Sequence, residues 1–371
     1  MAAVFPPATA PGHVCILRLS AIGDTCHVVP LLHRLRRAWP ETRFTWVVGR
    51  LEARLVGLMP DVEFITVDKR ARGVEAAAAR TALRTGRYDL LLHLQVALRA
   101  SLVARRVRAD LRLGFDRARA RELQWLFTNR RIAPRTREHV LDSFQGFADA
   151  LGAPVSPLDF SLPVPAAAAA LAGEVIPAGR PTLLVSPCSS HALRNWRPER
   201  YAAVIRHAAE RHGLATILCG GPSPIEREMG AAIEAACPVP VANRIGVDGL
   251  PQLLALMERG AVLLTPDSGP AHMGTLAGIP VIGLYAATNP ARSGPYRSLR
   301  WCVDRHAAAT QRFLGRSPSE LRWGTKVERP GAMELVEVAD VTAKLDELVA
   351  VGFDAARRMV ATATPRLPSG A

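Results

Sequence analysis

Short apolar segments of strand length alternate along this chain with segments of helical periodicity. The first pair comprises the strand-like His13–Leu19 and the segment Leu31–Ala38, where apolar residues recur at helical spacing. Further strands are predicted at Phe44–Val48, Glu63–Val67, Tyr88–Leu94 and Leu111–Phe115. This alternation predicts an α/β fold in which a parallel sheet is covered by helices on both faces.

A second series of the same kind follows a segment rich in Pro, Ala and Gly at residues 161–181. Its strands are predicted at Thr182–Ser186, Ala215–Cys219, Val262–Thr265 and Val281–Tyr285, and its helices at Pro198–Arg211, Ile225–Ala235 and Ala271–Gly278. A chain of 371 residues is long enough for two domains. We predict two tandem Rossmann-like domains at 1–165 and 181–350, a linker at 166–180 and a tail at 351–371, with both sheets facing a central cleft.

The charge balance indicates an anionic partner. The chain carries 47 basic and 33 acidic residues, a net charge of +14, and only three of the basic residues are lysines. Its six cysteines are scattered without a C-x-x-C pair, so we expect neither a disulfide framework nor a zinc site. Because the sequence has no signal peptide and no apolar run of about 20 residues, we predict a cytoplasmic protein, or one peripheral on a membrane.

Three loops that follow predicted strands carry polar residues suited to chemistry. The first, residues 19–24 (LSAIGD), places Asp24 at the carboxyl edge of the first sheet, where a carboxylate can act as a base. The alternative is that Asp24 only caps the following helix. A single glycine in this turn excludes the G-x-G-x-x-G pattern of dehydrogenases and the P-loop of nucleoside triphosphatases.

The second loop, residues 186–198 (SPCSSHALRNWRP), combines hydroxyls with two arginines, which suit a diphosphate. Its alternative is a polar loop held by a buried Trp196. The third, residues 265–272 (TPDSGPAH), leads into a helix beginning near Gly269, and such a helix start binds anions. Here the alternative is a capping Asp267 and a core His272. Residues 220–223 (GGPS) give a weaker signal of the same kind.

Four segments in this order, LSAIGD, SPCSSHALRNWRPERY, LCGGPSPIERE and TPDSGPAHMGTLAGIPVIGLY, resemble the bacterial lipopolysaccharide heptosyltransferases of glycosyltransferase family 9. The resemblance covers roughly Val14 to Leu348. It implies a GT-B fold and an inverting transfer of heptose from ADP-heptose to the inner core of lipopolysaccharide, with a Kdo-lipid A type of acceptor. It also implies an anionic glycolipid partner at the cytoplasmic face of the inner membrane and no nucleic acid.

The resemblance assigns roles to individual residues. It makes Asp24 the catalytic base, and Arg194 the group that stabilises the departing ADP. Donor-binding positions are Ser189, Ser190, Asp267, Ser268, Gly269 and His272. Basic residues chosen by position to hold the acceptor are Lys69, Arg70, Arg72 and Arg121. No acidic pair with metal-binding spacing is present, so we expect a cationic cradle in place of a metal and no cofactor.

Other functions fit parts of this pattern. A different GT-B enzyme, either a transferase or an epimerase, would use another nucleotide sugar on the same fold. A non-catalytic nucleotide-binding protein would be expected to lose the base first. The positive charge also allows nucleic-acid binding, but the arginines are dispersed and aromatic residues make up only 5% of the chain. Residues 300–330 match no motif of the family.

Overall fold

The computed structural model describes residues 10–68 and 73–363. Contacts divide the chain into two compact units between Pro163 and Val164. Within the described residues, each unit contains a six-stranded sheet in which the strands pair in parallel. The two Rossmann-like sheets predicted from the alternating pattern are therefore confirmed.

The N-terminal unit begins with a buried strand and alternates strands with helices. Its strands are β1 (His13–Leu17), β2 (Arg43–Gly49), β3 (Glu63–Val67), β4 (Arg87–His93), β5 (Arg108–Gly114) and β6 (Arg130–Arg131). Its helices are α1 (Ile22–Ala38), α2 (Ala53–Val56), α3 (Gly73–Thr85), α4 (Leu98–Ala104) and α5 (Val140–Ala150). The strand order is β3-β2-β1-β4-β5-β6. The strands therefore follow one another outward in opposite directions on the two sides of the β1–β4 pair, which makes this pair the switch point of the sheet.

The C-terminal unit repeats this plan. Its strands are β7 (Thr182–Val185), β8 (Ala215–Leu218), β9 (Ala242–Asn243), β10 (Val262–Pro266), β11 (Val281–Tyr285) and β12 (Val303–Asp304). Its helices are α6 (Ala166–Val175), α7 (Pro198–His212), α8 (Pro224–Ala236), α9 (Leu250–Arg259), α10 (Gly269–Ala277), α11 (Pro290–Ser293), α12 (His306–Leu314), α13 (Val338–Val351) and α14 (Phe353–Thr362). The strand order β12-β11-β10-β7-β8-β9 reverses direction between β10 and β7.

The central strands are apolar along their length because helices cover both faces of each sheet. In β7, β10 and β11 every residue is buried, as expected for parallel strands in the middle of such a sheet. Each unit has its own hydrophobic core, built around residues such as Leu17 and Leu91 in the first unit and Leu264 and Tyr201 in the second. The strand ends that carry the polar loops are thereby held at fixed positions.

The structure differs from the predicted linker at 166–180 and tail at 351–371. Residues 166–175 form α6, which buries Ala168 and Ala172 and packs against α9. Residues 353–362 form α14, which places Ala356 in the core of the second unit and also buries Val360. Both segments are alanine-rich, and alanine favours helix strongly enough to need only a narrow buried face.

In the part of the chain that the structure describes, no helix combines the length and the apolar character needed to cross a bilayer.

Candidate active site

The polar loops singled out in the sequence lie where each sheet reverses its strand order. In the C-terminal unit the loops after β7 and β10 leave neighbouring parallel strands at the same edge of the sheet. Ligands of open α/β sheets bind in the crevice outside the carboxyl ends of strands at such a point. The topology therefore places residues 186–198 and 267–272 beside each other.

Arg194 joins these two loops through charged hydrogen bonds. Its Nη1 donates to Oδ2 of Asp267 at 3.1 Å, while Nε and Nη2 donate to Oε1 of Glu328 at 2.9 and 2.6 Å. The side chains of Arg194, Asp267 and Glu328 are 16%, 11% and 23% exposed. A guanidinium held by two carboxylates keeps a fixed orientation and remains accessible to a ligand.

Glu328 belongs to the segment 300–330 that matched no family motif, and sequence reasoning missed it. Its second oxygen lies 3.6 Å from Nε2 of His191, and its first lies 3.8 Å from Nζ of Lys326. Burial raises the pKa of Glu328, but the hydrogen bond from Arg194 and the charges of Lys326 and His191 outweigh burial and bring the pKa below its ordinary value. No local pattern signals this residue, because its partner lies 134 positions away.

The two predicted donor-binding serines have different surroundings. Ser189 is buried; its N–H donates to Oδ1 of Asn195 at 2.7 Å and its Oγ accepts the N–H of His191 at 3.4 Å. Ser190 is exposed. Ser189 therefore shapes the loop through its own bonds, and Ser190 presents its hydroxyl to solvent. Trp196 is buried and its Nε1 donates to the carbonyl of Val336 at 3.0 Å, which anchors the end of the loop.

The start of α10 has the features of an anion site. Ser268 is the N-cap residue, but its side chain makes no capping bond and instead shares a hydrogen bond of 2.8 Å with Thr265. The predicted alternative of a capping Asp267 is therefore wrong, because Asp267 precedes the cap and pairs with Arg194. Gly269 begins the helix, and His272 is buried in its first turn. The positive end of the helix dipole adds to the charge of Arg194 at this edge.

The weaker loop at residues 220–223 has a structural explanation. Ser223 is the N-cap of α8 and accepts the N–H of Glu226, while Glu226 accepts bonds from the Ser223 hydroxyl at 2.6 Å and from the N–H of Gly221 at 2.7 Å. These reciprocal bonds close the loop on itself.

Asp24 lies in the first turn of α1, directly after the loop that follows β1. The N-cap residue is Ala21, so the alternative in which Asp24 caps the helix is wrong. Its carboxylate, 34% exposed, pairs with Arg18. Arg18 also donates to the carbonyl of Leu94 at 2.6 Å and lies over the ring of Phe144 at 5.4 Å. These contacts fix the orientation of the Arg18–Asp24 pair, which is the requirement for a positioned base.

A cavity of about 690 Å³ opens at the same edge of the N-terminal sheet. It is lined by the loop residues Leu19 and Ser20 and by three arginines, Arg50, Arg54 and Arg99. Arg50 lies 3.6 Å from Asp68, which also contributes to the wall. Sequence reasoning missed these arginines, although Arg50 directly follows a strand.

The residues predicted to hold the acceptor are only partly described. Lys69, Arg70 and Arg72 lie outside the described residues. Arg121 is exposed and does not line the cavity.

Among the described residues, His207, His212 and Asp346 are the cluster with the donor set of a metal site. Both histidine Nε2 atoms contact Oδ1 of Asp346, at 2.7 and 2.6 Å. These contacts join α7 to α13 and lie outside the strand-end loops. The two imidazoles already provide hydrogen-bond partners for Oδ1 of Asp346. The cluster is therefore explained as a contact between two helices.

Comparison with known proteins agrees with this geometry. The family model described as glycosyltransferase family 9 (heptosyltransferase) matches residues 76–321. The lipopolysaccharide core heptosyltransferase OpsX of Haemophilus influenzae is 38% identical over 91% of this chain and 97% of its own length. The structure also matches a family 9 glycosyl transferase from Veillonella parvula, with a TM-score of 0.73, 21% identity and coverage of 91% of this chain and 97% of that chain.

A further solved structure, Escherichia coli heptosyltransferase WaaC with ADP-2-deoxy-2-fluoro heptose, has a TM-score of 0.67 and 21% identity, and the match covers 90% of this chain and 99% of that chain. The fold is therefore that of a GT-B type glycosyltransferase. The chain belongs to glycosyltransferase family 9, the heptosyltransferases, and is an enzyme of lipopolysaccharide biosynthesis.

Proposed function

We propose that this enzyme transfers heptose from ADP-heptose to the inner core of lipopolysaccharide, with inversion at the sugar. The observation that carries the proposal is Arg194, held by Asp267 and Glu328 beside the start of α10. An oriented guanidinium next to a helix N-terminus is complementary to a diphosphate. The membership in the heptosyltransferase family supports heptose as the transferred sugar.

In this proposal the C-terminal unit binds the donor and stabilises the leaving ADP. Negative charge grows on the diphosphate as the bond to the sugar breaks, so a cation already in place lowers the barrier. Arg194 supplies this charge, and the amides near Ser268 and Gly269 add their dipoles. Ser189, Ser190 and His272 complete the donor surface. In this proposal Arg194 supplies the positive charge that many transferases obtain from a bound metal ion.

Asp24 acts as the general base in the N-terminal unit. An inverting transfer needs a base that removes the proton of the acceptor hydroxyl while the diphosphate leaves from the opposite face. Arg18 pairs with the Asp24 carboxylate and fixes its orientation toward the acceptor hydroxyl. Arg18 is thus a positioning residue.

The arginine-lined cavity is the proposed site for the anionic part of the acceptor. Arg50, Arg54 and Arg99 line it, together with the acidic residues Glu52 and Asp68, so basic residues outnumber acidic ones in its wall. The residues Lys69, Arg70 and Arg72, expected to contact the acceptor, follow Asp68 of the cavity wall in sequence. The N-terminal unit also carries most of the charge: its 25 basic and 15 acidic residues give 25 − 15 = +10 of the total +14. This charge favours an acidic glycolipid and an anionic membrane face.

The first test is calorimetric titration with ADP and UDP in parallel, followed by an ADP-release assay with ADP-heptose and Kdo-lipid A. We expect ADP to bind at least about tenfold more tightly than UDP, with ADP release that requires the acceptor. Preference for UDP, or release of sugar without an acceptor, would favour another GT-B activity and contradict the proposal.

Arg194→Ala tests the donor site within the same assays. We expect kcat/KM to fall at least about 10²-fold, because the transition state loses a charged contact. Arg197→Ala is the matched control, since this arginine lies in the same loop but is 62% exposed and pairs with Glu334. Equal kinetics in the two variants would remove Arg194 from the mechanism.

A further inference from the structure

The segment 117–126, which follows β5 in the N-terminal unit, has inverted polarity. Leu123, Trp125 and Leu126 are 51%, 37% and 59% exposed, whereas Gln124 between them is fully buried. The buried amide of Gln124 donates to the carbonyls of His93 at 2.8 Å and Gln95 at 3.3 Å. The bonds of Gln124 thus hold the backbone in a position that leaves the neighbouring apolar side chains exposed to solvent.

The backbone of this segment is also held in an unfavourable conformation. Leu123 has a φ of 62° and Glu122 a φ of 48°, in the left-handed region that bulky residues avoid. Glu122 compensates by accepting the N–H of Leu98, at the start of α4, at 2.7 Å. Backbone strain of this kind persists where the surrounding structure fixes it, and it concentrates at functional positions.

The exposed apolar surface extends from this segment onto α4. Leu98 and Leu102 are 41% and 46% exposed, and the bond between Leu98 and Glu122 brings the two elements together. Basic residues border this surface: Arg117 lies over the ring of Trp125 at 5.8 Å, and Arg121 is exposed in the same segment. Arg99, adjacent to Leu98, lines the cavity proposed for the acceptor.

We propose that Leu98, Leu102, Leu123, Trp125 and Leu126, with Arg117 and Arg121, form a docking surface for an anionic lipid bilayer. This inference rests on the proposed function, because it assigns the surface to the membrane that holds the acceptor. Leucines and a tryptophan enter the interfacial region of a bilayer, and arginines beside them contact acidic headgroups. The positive charge of the N-terminal unit favours this partner over a neutral apolar protein surface.

The docking surface places the acceptor cavity next to the membrane. A glycolipid whose acyl chains stay in the bilayer can then present its sugar to Arg99 without leaving the membrane. Binding to the bilayer also raises the local concentration of the acceptor at the cavity, as in any linked two-site interaction.

The test is sedimentation of the full chain with vesicles of phosphatidylcholine containing 30% phosphatidylglycerol, without donor or acceptor. The patch variant combines Leu123→Ser, Trp125→Ser and Leu126→Ser. The matched control combines Val155→Ser, Ile225→Ser and Val247→Ser, which removes as many exposed apolar residues from other positions. We expect the vesicle partition coefficient to fall at least about tenfold in the patch variant and less than about twofold in the control.

Trp125→Phe gives a second readout that does not depend on the triple variant folding. Vesicle binding should shift the tryptophan emission of the wild type to shorter wavelength, and this shift should be lost in the single variant. Equal sedimentation of patch variant and control, or vesicle binding without an emission shift from Trp125, would overturn the proposal. Concentration-dependent dimers that disappear in the patch variant would also overturn it and assign the surface to a second copy of the chain.

Transfer assays separate this inference from the proposed function. With a water-soluble acceptor lacking acyl chains, the patch variant should keep the wild-type rate. With the acceptor embedded in vesicles, its rate should fall about tenfold. Vesicle binding without any heptose transfer by the wild type would retain the docking surface and contradict only the proposed function.

Discussion

Asp24 is one-third exposed and pairs with Arg18, so its carboxylate is both oriented and reachable. We expect Asp24→Asn to lower kcat by about 10²- to 10⁴-fold, because the amide keeps the shape but cannot take a proton. The affinity for ADP should not change, since Asp24 belongs to the N-terminal unit. Steady-state ADP release and calorimetry measure the two quantities.

The control for Asp24 is Asp61→Asn in the same unit. Asp61 pairs with Arg36 and is 82% exposed, so the substitution removes an ion pair of little energetic consequence. A similar, small change in kcat for both variants would leave Asp24 with a purely structural role.

His93 links the fold of the N-terminal unit to pH. It is fully buried at the end of β4, and its Nε2 lies 3.1 Å from the hydroxyl of Ser101. Burial, with the nearby charges of Arg112 and Arg18, lowers its pKa from 6.5 to about 3. Between pH 6.5 and about pH 3, the unfolded chain binds a proton at His93 that the folded chain does not bind. The stability that comes from keeping His93 neutral is therefore fully present above pH 6.5 and is lost as the pH falls below it.

For one such proton, the free energy of unfolding changes by about 1.4 kcal/mol per pH unit. We therefore expect the free energy of unfolding to fall by about 2 kcal/mol more between pH 7 and pH 5 in the wild type than in His93→Asn. Urea titrations at the two pH values measure this difference. The same pH dependence in both proteins would show that His93 is not responsible.

A single side chain from α14 contacts the C-terminal ends of both α9 and α10. Arg357 donates to the carbonyls of Met257, Glu258 and Gly260 at the C-terminal end of α9, and to those of Ala277 and Gly278 at the C-terminal end of α10. A cation at two helix C-termini opposes their dipoles and satisfies carbonyls that the helices leave without partners. This contact explains why residues 353–362 of the predicted tail form a helix that belongs to the unit.

We expect Arg357→Met to lower the free energy of unfolding by about 2–3 kcal/mol, because several carbonyls at the two helix ends lose a charged donor. Arg358→Met is the control, since Arg358 is exposed on the same helix. Urea unfolding followed by circular dichroism compares the midpoints. If both variants lose the same small amount, Arg357 does not hold the helix ends.

The elements that were predicted correctly are those with strong periodic patterns. Strand β11 was predicted at its observed bounds, because five buried residues in a row leave a clear signal. Strands β6, β9 and β12 have two residues each, too few for any periodicity to appear. The sequence predicts a linker where α6 lies, because its alanines are flanked by prolines and suggest an irregular segment, whereas packing on α9 makes it a helix.

The same limit applies to the candidate site. Asp24, Arg194 and Asp267 could be singled out because each lies in or directly after the loop that follows a strand, and the carboxyl ends of parallel strands meet at one edge of the sheet. Glu328 could not be found, because it lies in an irregular segment and reaches Arg194 only through the fold. The buried Gln124 and its exposed neighbours were equally hidden, since inverted polarity looks in sequence like an ordinary mixed loop.

The two units divide the proposed reaction between them. The residues assigned to the donor lie in the C-terminal unit, while the base and the arginine-lined cavity lie in the N-terminal unit. Each unit has its own core, so each has the apolar packing that independent folding requires. The C-terminal unit should therefore bind the nucleotide by itself.

We expect residues 164–371, produced alone, to bind ADP with a Kd within about threefold of that of the full chain and to show no transfer. A shorter fragment of residues 181–350 should be less stable, because it lacks α6 and the Arg357 contacts of α14. Calorimetry and thermal unfolding of both fragments measure these effects, and Arg194→Ala in the longer fragment should abolish ADP binding. A folded 164–371 fragment without affinity for ADP would mean that the N-terminal unit contributes to the donor site.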